Sequence, residues 1–162
     1  MAENDTDRVK DATLQALAEF FARDGWQCHT LETYNAIEMG VAGEHGNYRL
    51  VALVDAERSI VRFLIFVEGR VPELRRREVM EFLTRANYGL LLGNFEIDLA
   101  DGEVRFKNAI DIEDSPLTYE QYHNMLYVAL ATMDRYFPGL QRVAQGSADA
   151  AAAIADIEHW EP

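Results

Sequence analysis

The stretch from Ser59 to Val67 constrains the fold of this chain more than any other. It reads Ser-Ile-Val-Arg-Phe-Leu-Ile-Phe-Val. Side chains alternate along a strand, so Ile60, Leu64 and Phe66 share one face and Val61, Phe63, Ile65 and Val67 the other. A strand that is apolar on both faces needs cover on both. One cover is a helix layer. The other is a further helix, a second subunit or a bound segment.

Two strands precede it, over about 35–42 and 47–54, with turns at Gly43-Glu44-His45-Gly46 and Asp55-Ala56-Glu57-Arg58. Connections this short join antiparallel neighbours. A helix over 7–24 comes first. Asp5 or Thr6 is placed to cap it, Val9, Ala12, Ala16, Leu17, Phe20 and Phe21 recur at helical spacing, and Gly25 stops it. Trp26 to Leu31 reads as extended. After the third strand, Arg70-Val71-Pro72 opens a second helix, with Leu74, Val79, Met80, Phe82, Leu83 and Ala86 inward and Asn87-Tyr88-Gly89 at its end. Arg75, Arg76 and Arg77, beside Glu73, Glu78 and Glu81, read as a solvated, locally paired face.

Asp101-Gly102 is a strong two-residue hairpin signal. A turn there sets Leu99 against Val104 and Ile97 against Phe106 on a dry face. On the wet face it sets Asp98 against Arg105 and Glu96 against Lys107. A third helix starts at Thr118, where Thr118 and Gln121 form a capping box and Leu117 and Tyr122 sit at the staple positions. It runs to about Phe137, where Pro138-Gly139 breaks or kinks it. Its apolar stripe, widened by Tyr127 and Val128, is broad enough for burial on more than one side. Ser147 is placed to cap an alanine-rich tail in which Ile154, Ile157 and Trp160 dock or fray. The chain therefore reads as an α+β domain over residues 1–146, with an antiparallel sheet and the order α-β-β-β-α-β-β-α, followed by a tail over 147–162 that forms at most a short helix.

The chain has 162 residues, 49 % apolar and 27 % charged, which suffices for a core without staples. A net charge of −13 argues against nucleic acid or an anionic membrane as partner. A single cysteine, Cys28, excludes an intrachain disulfide. The acidic, polar start carries no signal peptide, and no apolar run is long enough to span a bilayer, so the expected location is the cytoplasm.

Catalysis finds no scaffold. His29, His45, His123 and His159 are scattered, and neither a His-x-x-x-His nor a Cys-x-x-Cys pair occurs. Phosphate-loop, dinucleotide and nucleophile-elbow motifs are missing. Cys28 and His29 are neighbours on a strand and point to opposite faces. Glu96 and Asp98 share a face, but Lys107 and Arg105 oppose them, which favours structural pairing over an acid pair or a cation site. No catalytic residue, metal or cofactor is expected.

Five runs taken in order carry a family resemblance: Arg70-Val71-Pro72, Arg85-Ala86-Asn87-Tyr88-Gly89, Gly93-Asn94-Phe95-Glu96-Ile97-Asp98, Asp101-Gly102-Glu103-Val104-Arg105 and Ala131-Thr132-Met133-Asp134-Arg135-Tyr136-Phe137-Pro138. Together they resemble the YbjN-type family of bacterial sensory transduction regulators, over roughly residues 6 to 145. That family is similar in fold to the type III secretion chaperones, small acidic dimers that hold an extended client segment and use no cofactor. The resemblance implies a homodimeric peptide- or protein-binding module linked to stress or motility regulation, and it implies no catalytic residues.

Two readings follow. In the first, the chain is a chaperone-like binding module, and Phe63, Ile65, Tyr127 and Leu130 are the candidate dimer or client surface. The client enters an apolar groove or adds a strand to a sheet edge. In the second, the chain is a small-molecule sensor with a pocket between sheet and helices, lined by Tyr34, Tyr88 and Tyr122.

Overall fold

The computed structural model of the chain describes residues 2–158, except the side chains of residues 2–7 and of Val9. The packing expected of Val9 and Trp160 and the position of His159 lie outside the described residues. Six antiparallel strands form one sheet in the order β1-β2-β3-β4-β6-β5. They are β1 (His29–Leu31), β2 (Ala36–Ala42), β3 (Asn47–Asp55), β4 (Ile60–Val67), β5 (Asn94–Ile97) and β6 (Val104–Asp111). The helices are α1 (Ala2–Arg23), α2 (Arg76–Gly89), α3 (Tyr119–Gln145) and α4 (Ala150–Ile157). The expected α-β-β-β-α-β-β-α order is present, with β1 added at one rim. Because α1 begins at Ala2, Asp5 and Thr6 lie inside its first turns and do not cap it.

One sheet face meets the helices. Leu17 and Phe21 of α1, Val79, Phe82, Leu83 and Ala86 of α2, and Tyr122, Leu126, Ala129 and Met133 of α3 pack on Ile37, Leu50, Phe63, Ile65 and Phe106. Leu74 and Met80, expected inside α2, are exposed. No described helix covers the other face. Its apolar centre is Ala36, Val51, Leu64 and Phe66, which are buried nonetheless. The cover comes from charged side chains of the sheet itself. The guanidinium of Arg49 lies 4.3 Å from the centre of the Phe66 ring and that of Arg105 6.0 Å. Ion pairs hold these stems down: Arg49 to Glu38 at 3.7 Å, Arg62 to Asp55 at 3.4 Å, and Glu96 to both Arg105 and Lys107. Long cationic side chains shield apolar surface while keeping their heads wet. So, within this chain, the second cover of β4 is a layer of charged side chains from the sheet and not a described helix.

The β5–β6 hairpin differs from the expected register by two residues. Ile97 faces Val104, Phe95 faces Phe106 and Glu96 faces Arg105. A shift of two keeps every side chain on its expected face. The turn is longer than two residues because Asp98 organises it: its side chain accepts from the Ala100 N–H at 2.7 Å and its carbonyl from the Gly102 N–H at 2.7 Å. The connection before α2 grips the turn from outside. Arg70 pairs with Asp101 and Glu103, the Val71 N–H donates to the Gly102 carbonyl at 2.9 Å, and Arg76 donates to the carbonyls of Leu99 and Ala100. Arg75 donates to the Val143 carbonyl in the last turn of α3. Two of the three arginines read as a solvated face are therefore ties between elements, and only Arg77 is simply exposed.

The capping box at Thr118 and Gln121 forms as expected. The helix it opens continues through Pro138 to Gln145. A proline inside a helix costs about 3 kcal/mol. Burial of Gly139, Leu140 and Val143 beyond it offsets that cost. In the tail, Asp149 caps α4 in place of Ser147, accepting from the Ala152 N–H at 2.8 Å.

Asp134 seats α3 on the sheet. Its carboxylate enters the β2–β3 turn and accepts from the backbone N–H of Glu44 at 3.1 Å and of His45 at 3.0 Å. It also contacts His45 Nδ1 at 3.0 Å and accepts from the Tyr48 hydroxyl at 2.7 Å. A Cβ at Gly43 would sit 2.2 Å from this carboxylate, so only glycine admits it. Burial alone would raise the Asp134 carboxyl, but the hydrogen bonds from Tyr48, His45 and Glu44 outweigh it and hold the group below the usual carboxylate range.

Two predictions follow from these ties. Gly102 has φ +81°, and a Cβ there would meet the Val71 carbonyl at 2.3 Å. Gly102→Ala should cost roughly 1–2 kcal/mol from the left-handed backbone alone, with the clash added, as read by urea unfolding. Asp134→Asn removes acceptors and should cost about 1–3 kcal/mol near neutral pH. Because the folded-state value is lowered, the stabilisation is present above the unfolded value of about 4 and is lost as pH falls through the folded one. The gap between native chain and variant should therefore close as pH falls below about 4.

Candidate functional site

The four candidate surface residues separate into two pairs. Phe63 and Ile65 are fully buried under α1 and α3, on the helix side of β4, so neither reaches a surface of this chain. The alternate face, with Leu64 and Phe66, is the one the helices leave open. Tyr127 and Leu130 lie one turn apart on α3 and do come together at the surface, Tyr127 with 39 % exposure.

The neighbour that completes this surface is Trp26. It is placed there by the junction of α1 and α3. Asp24, just past α1, accepts from the hydroxyls of Tyr119 and Tyr122 in the first turn of α3. The bond to Asp24 raises the Tyr119 hydroxyl above its ordinary value; for Tyr122 burial is the larger cause, and Asp24 adds to it. The guanidinium of Arg23 lies 3.6 Å from the centre of the Tyr119 ring. The Trp26 N–H donates to the Phe21 carbonyl at 2.9 Å, turning the chain across α3. The Trp26 ring then sits 6.5 Å from Tyr127, and His123 stacks on the other side of Tyr127 at 4.3 Å. A groove of about 230 Å³ runs between Trp26, Leu130 and Ala131 on one side and Val41, Ala42 and Tyr48 on the other. Its floor is the edge of the sheet. β1 pairs only with Ala36–Glu38, so the outer edge of β2 from Met39 to Ala42 is unpaired by any described strand. The Trp26 Nε1–H is buried and has no hydrogen-bond partner among the described residues.

The far edge of the sheet is blocked at Phe95. The Asn87 side-chain amide donates to the Phe95 carbonyl at 3.0 Å and accepts from the Phe95 N–H at 2.7 Å, as a neighbouring strand would. Beside it the turn from α2 to β5 exposes Tyr88 and Leu91, at 96 % and 97 %, with Leu92. The sequence signal for the Trp26 groove was weak, since Trp26 sits in an extended segment with no periodicity. The signal for Tyr88, Leu91 and Leu92 was an apolar cluster where a turn belongs.

Other candidate chemistry resolves into structure. Glu44, His45 and Asp134 bring ligand atoms within 4.8 Å of one another, a spacing open to a metal ion. Both Asp134 oxygens, however, already engage the hairpin turn and Tyr48. Their chemistry is that of a clamp. Glu96 is raised by burial but lowered more strongly by hydrogen bonds from Lys107, Arg105 and Asn94, and its role is pairing. Cys28 is half-buried against the core. Tyr34, Tyr88 and Tyr122 do not line one pocket: Tyr122 is in the core, Tyr34 is exposed beside β2, and Tyr88 is exposed beside β5. The cleft between sheet and helices, lined by Val67, Val71, Val104, Phe137 and Leu140, holds about 130 Å³, well under the roughly 300 Å³ at which small-molecule sites begin. Among the described residues, no helix is long and apolar enough to cross a membrane.

Comparison with known proteins places this fold. No functionally curated protein matches the chain in sequence. The crystal structure of YbjN from E. coli, described as a "putative transcription regulator", superposes with a TM-score of 0.57 at 12 % identity, over 83 % of this chain and 90 % of that one. The ExsC–ExsE complex gives a TM-score of 0.51 at 21 % identity, over 75 % of this chain and 88 % of that one. Both share the α+β architecture described above. Residues 13–142 match the YbjN family, described as "Putative bacterial sensory transduction regulator". Spanning most of the sheet and its three large helices, that match shows that the chain belongs to the YbjN family.

Proposed function

We propose that the chain is a protein-binding regulatory module that takes an extended client segment at the open edge of β2. One large apolar side chain of the client seats between Trp26 and Leu130. The observation that carries this reading is the coincidence, at one place, of an apolar groove and an unpaired strand edge. Main-chain bonds to an edge give affinity and the side-chain pocket gives selectivity. Support also comes from ExsC, a protein of similar fold that is known in complex with ExsE. The net charge of −13 favours a basic or neutral client over nucleic acid. The homodimer implied by the family resemblance needs a second apolar surface, and Tyr88, Leu91 and Leu92 supply one at the far edge. The cytoplasmic setting rests on the sequence reading, and the link to stress or motility on the resemblance alone. The reading assigns no catalytic residue and no cofactor.

The test is site-specific photocrosslinking in the parent cells. A photoreactive residue replacing Tyr127 should give discrete protein adducts, and one replacing Arg58, on an exposed turn remote from the groove, should not. Leu130→Ala should lower the adduct yield several-fold, because it removes the pocket wall, while the melting temperature moves by only a few degrees. Equal adducts from both positions, or adducts indifferent to Leu130, would overturn the assignment.

A further inference from the structure

We infer that the groove between α2 and α3 is a second docking site, made for a short helix with a small-residue face and acidic residues in its last turn, and that α4 fills it in cis. The inference is independent of the Trp26 groove. α4 lies beyond the residues matched by the family. It meets the core through Ala150, Ala153, Ile154 and Ile157. The receiving surface is cut to fit. A Cβ at Gly139 of α3 would sit 2.5 Å from the Ile157 side chain and 3.1 Å from the Phe82 ring of α2, so the close approach of the two helices depends on a missing side chain. Charge fixes the orientation. Arg135 donates to the Ile157 carbonyl at 3.0 Å, Arg142 pairs with Asp156 at 2.8 Å, and the Tyr136 hydroxyl donates to Glu158 at 2.6 Å. On a chain with 28 acids and 15 lysines and arginines, a groove edged by two arginines is matched to the acidic, dipole-negative end of a helix.

The occupant is also built to leave. α3 has its own C-cap, at Gly146, with Arg75 on the Val143 carbonyl. α4 has its own N-cap, at Asp149. α3 is capped without α4, and α4 leans on α3 only at its carboxyl end, through Arg135 and Tyr136. Of α4, Ala150 and Ala153 are buried and Ile154 and Ile157 partly so, which is a small apolar area beside the ten buried residues of α3. The segment therefore belongs to the low-stability end of the structure, where local opening precedes global unfolding. Its opening exposes Phe82, Tyr136 and the Gly139 notch to any helix of the same pattern.

The experiment keeps the full chain and displaces α4 by Ala153→Asp, which places a carboxylate at a fully buried position. The probe is a synthetic peptide of residues 147–158, titrated into the isotope-labelled variant and followed by amide resonances. Tethering supplies an effective concentration of the order of millimolar, so the peptide is needed in that range. The expected result is that the Phe82, Ala86 and Gly139 amides of the variant shift toward their native-chain positions, while the native chain does not respond. A peptide carrying Asp156→Lys should need several-fold more. Hydrogen exchange on the native chain should show α4 opening while α3 stays protected. No shift at several millimolar, equal shifts in native chain and variant, loss of the whole fold in Ala153→Asp, or α4 amides as protected as those of α3 would each overturn the inference.

Discussion

A single carboxylate on α3 sets where that helix lies, and much else follows from where it lies. Asp134 is held by two backbone N–H groups, an imidazole nitrogen and a phenol, all supplied by the β2–β3 turn and the start of β3. A charged acceptor holding several donors is both strong and directional. It works only because Gly43 leaves room for it. With α3 fixed there, Tyr127 and Leu130 face Trp26 over the β2 edge, and the far end of the helix meets Arg75 and α4. The same residue answers the metal question raised by its neighbours: its lone pairs are committed to seating a helix.

The runs that carry the family resemblance turn out to be joints. Arg70 and Val71 grip the hairpin turn at Asp101-Gly102, Asn87 grips Phe95, and Asp134 grips the turn at Gly43. Joints depend on the chemistry of particular atoms, whereas core positions accept any side chain of suitable volume.

Strands and helices were legible in the sequence because periodicity reports burial directly. β2, β3 and β4 fall within a residue or two of their expected bounds, and the capping box at Thr118 stands where it was read. The exposure of Tyr127 has the same origin, since the stripe on α3 is wider than one layer needs. Phe63 and Ile65 were not placed correctly, because β4 is apolar on both faces and no local signal says which face the helices take. The hairpin register went astray where side chains outvoted turn propensity, at Asp98 and at the grip of Arg70 and Arg76. The arginines of α2 were misread for a related cause. Arg75 keeps its local pair with Glu78, but it and Arg76 also bind carbonyls 23 to 68 residues away, which no window of local sequence contains.

The amide of Asn87 has a consequence for how copies of this chain can associate. A sheet that grows by adding neighbours needs two free edges, one to receive and one to offer. Here the β5 edge is already occupied at Phe95 by a side chain that imitates a strand. The β1–β2 rim leaves the outer edge of β2 from Met39 to Ala42 unpaired by any described strand, and two copies that met there would use the same rim on both. Contacts of that kind close on themselves after two chains and cannot propagate into a fibre. One asparagine thereby blocks the β5 edge at Phe95 against a second strand.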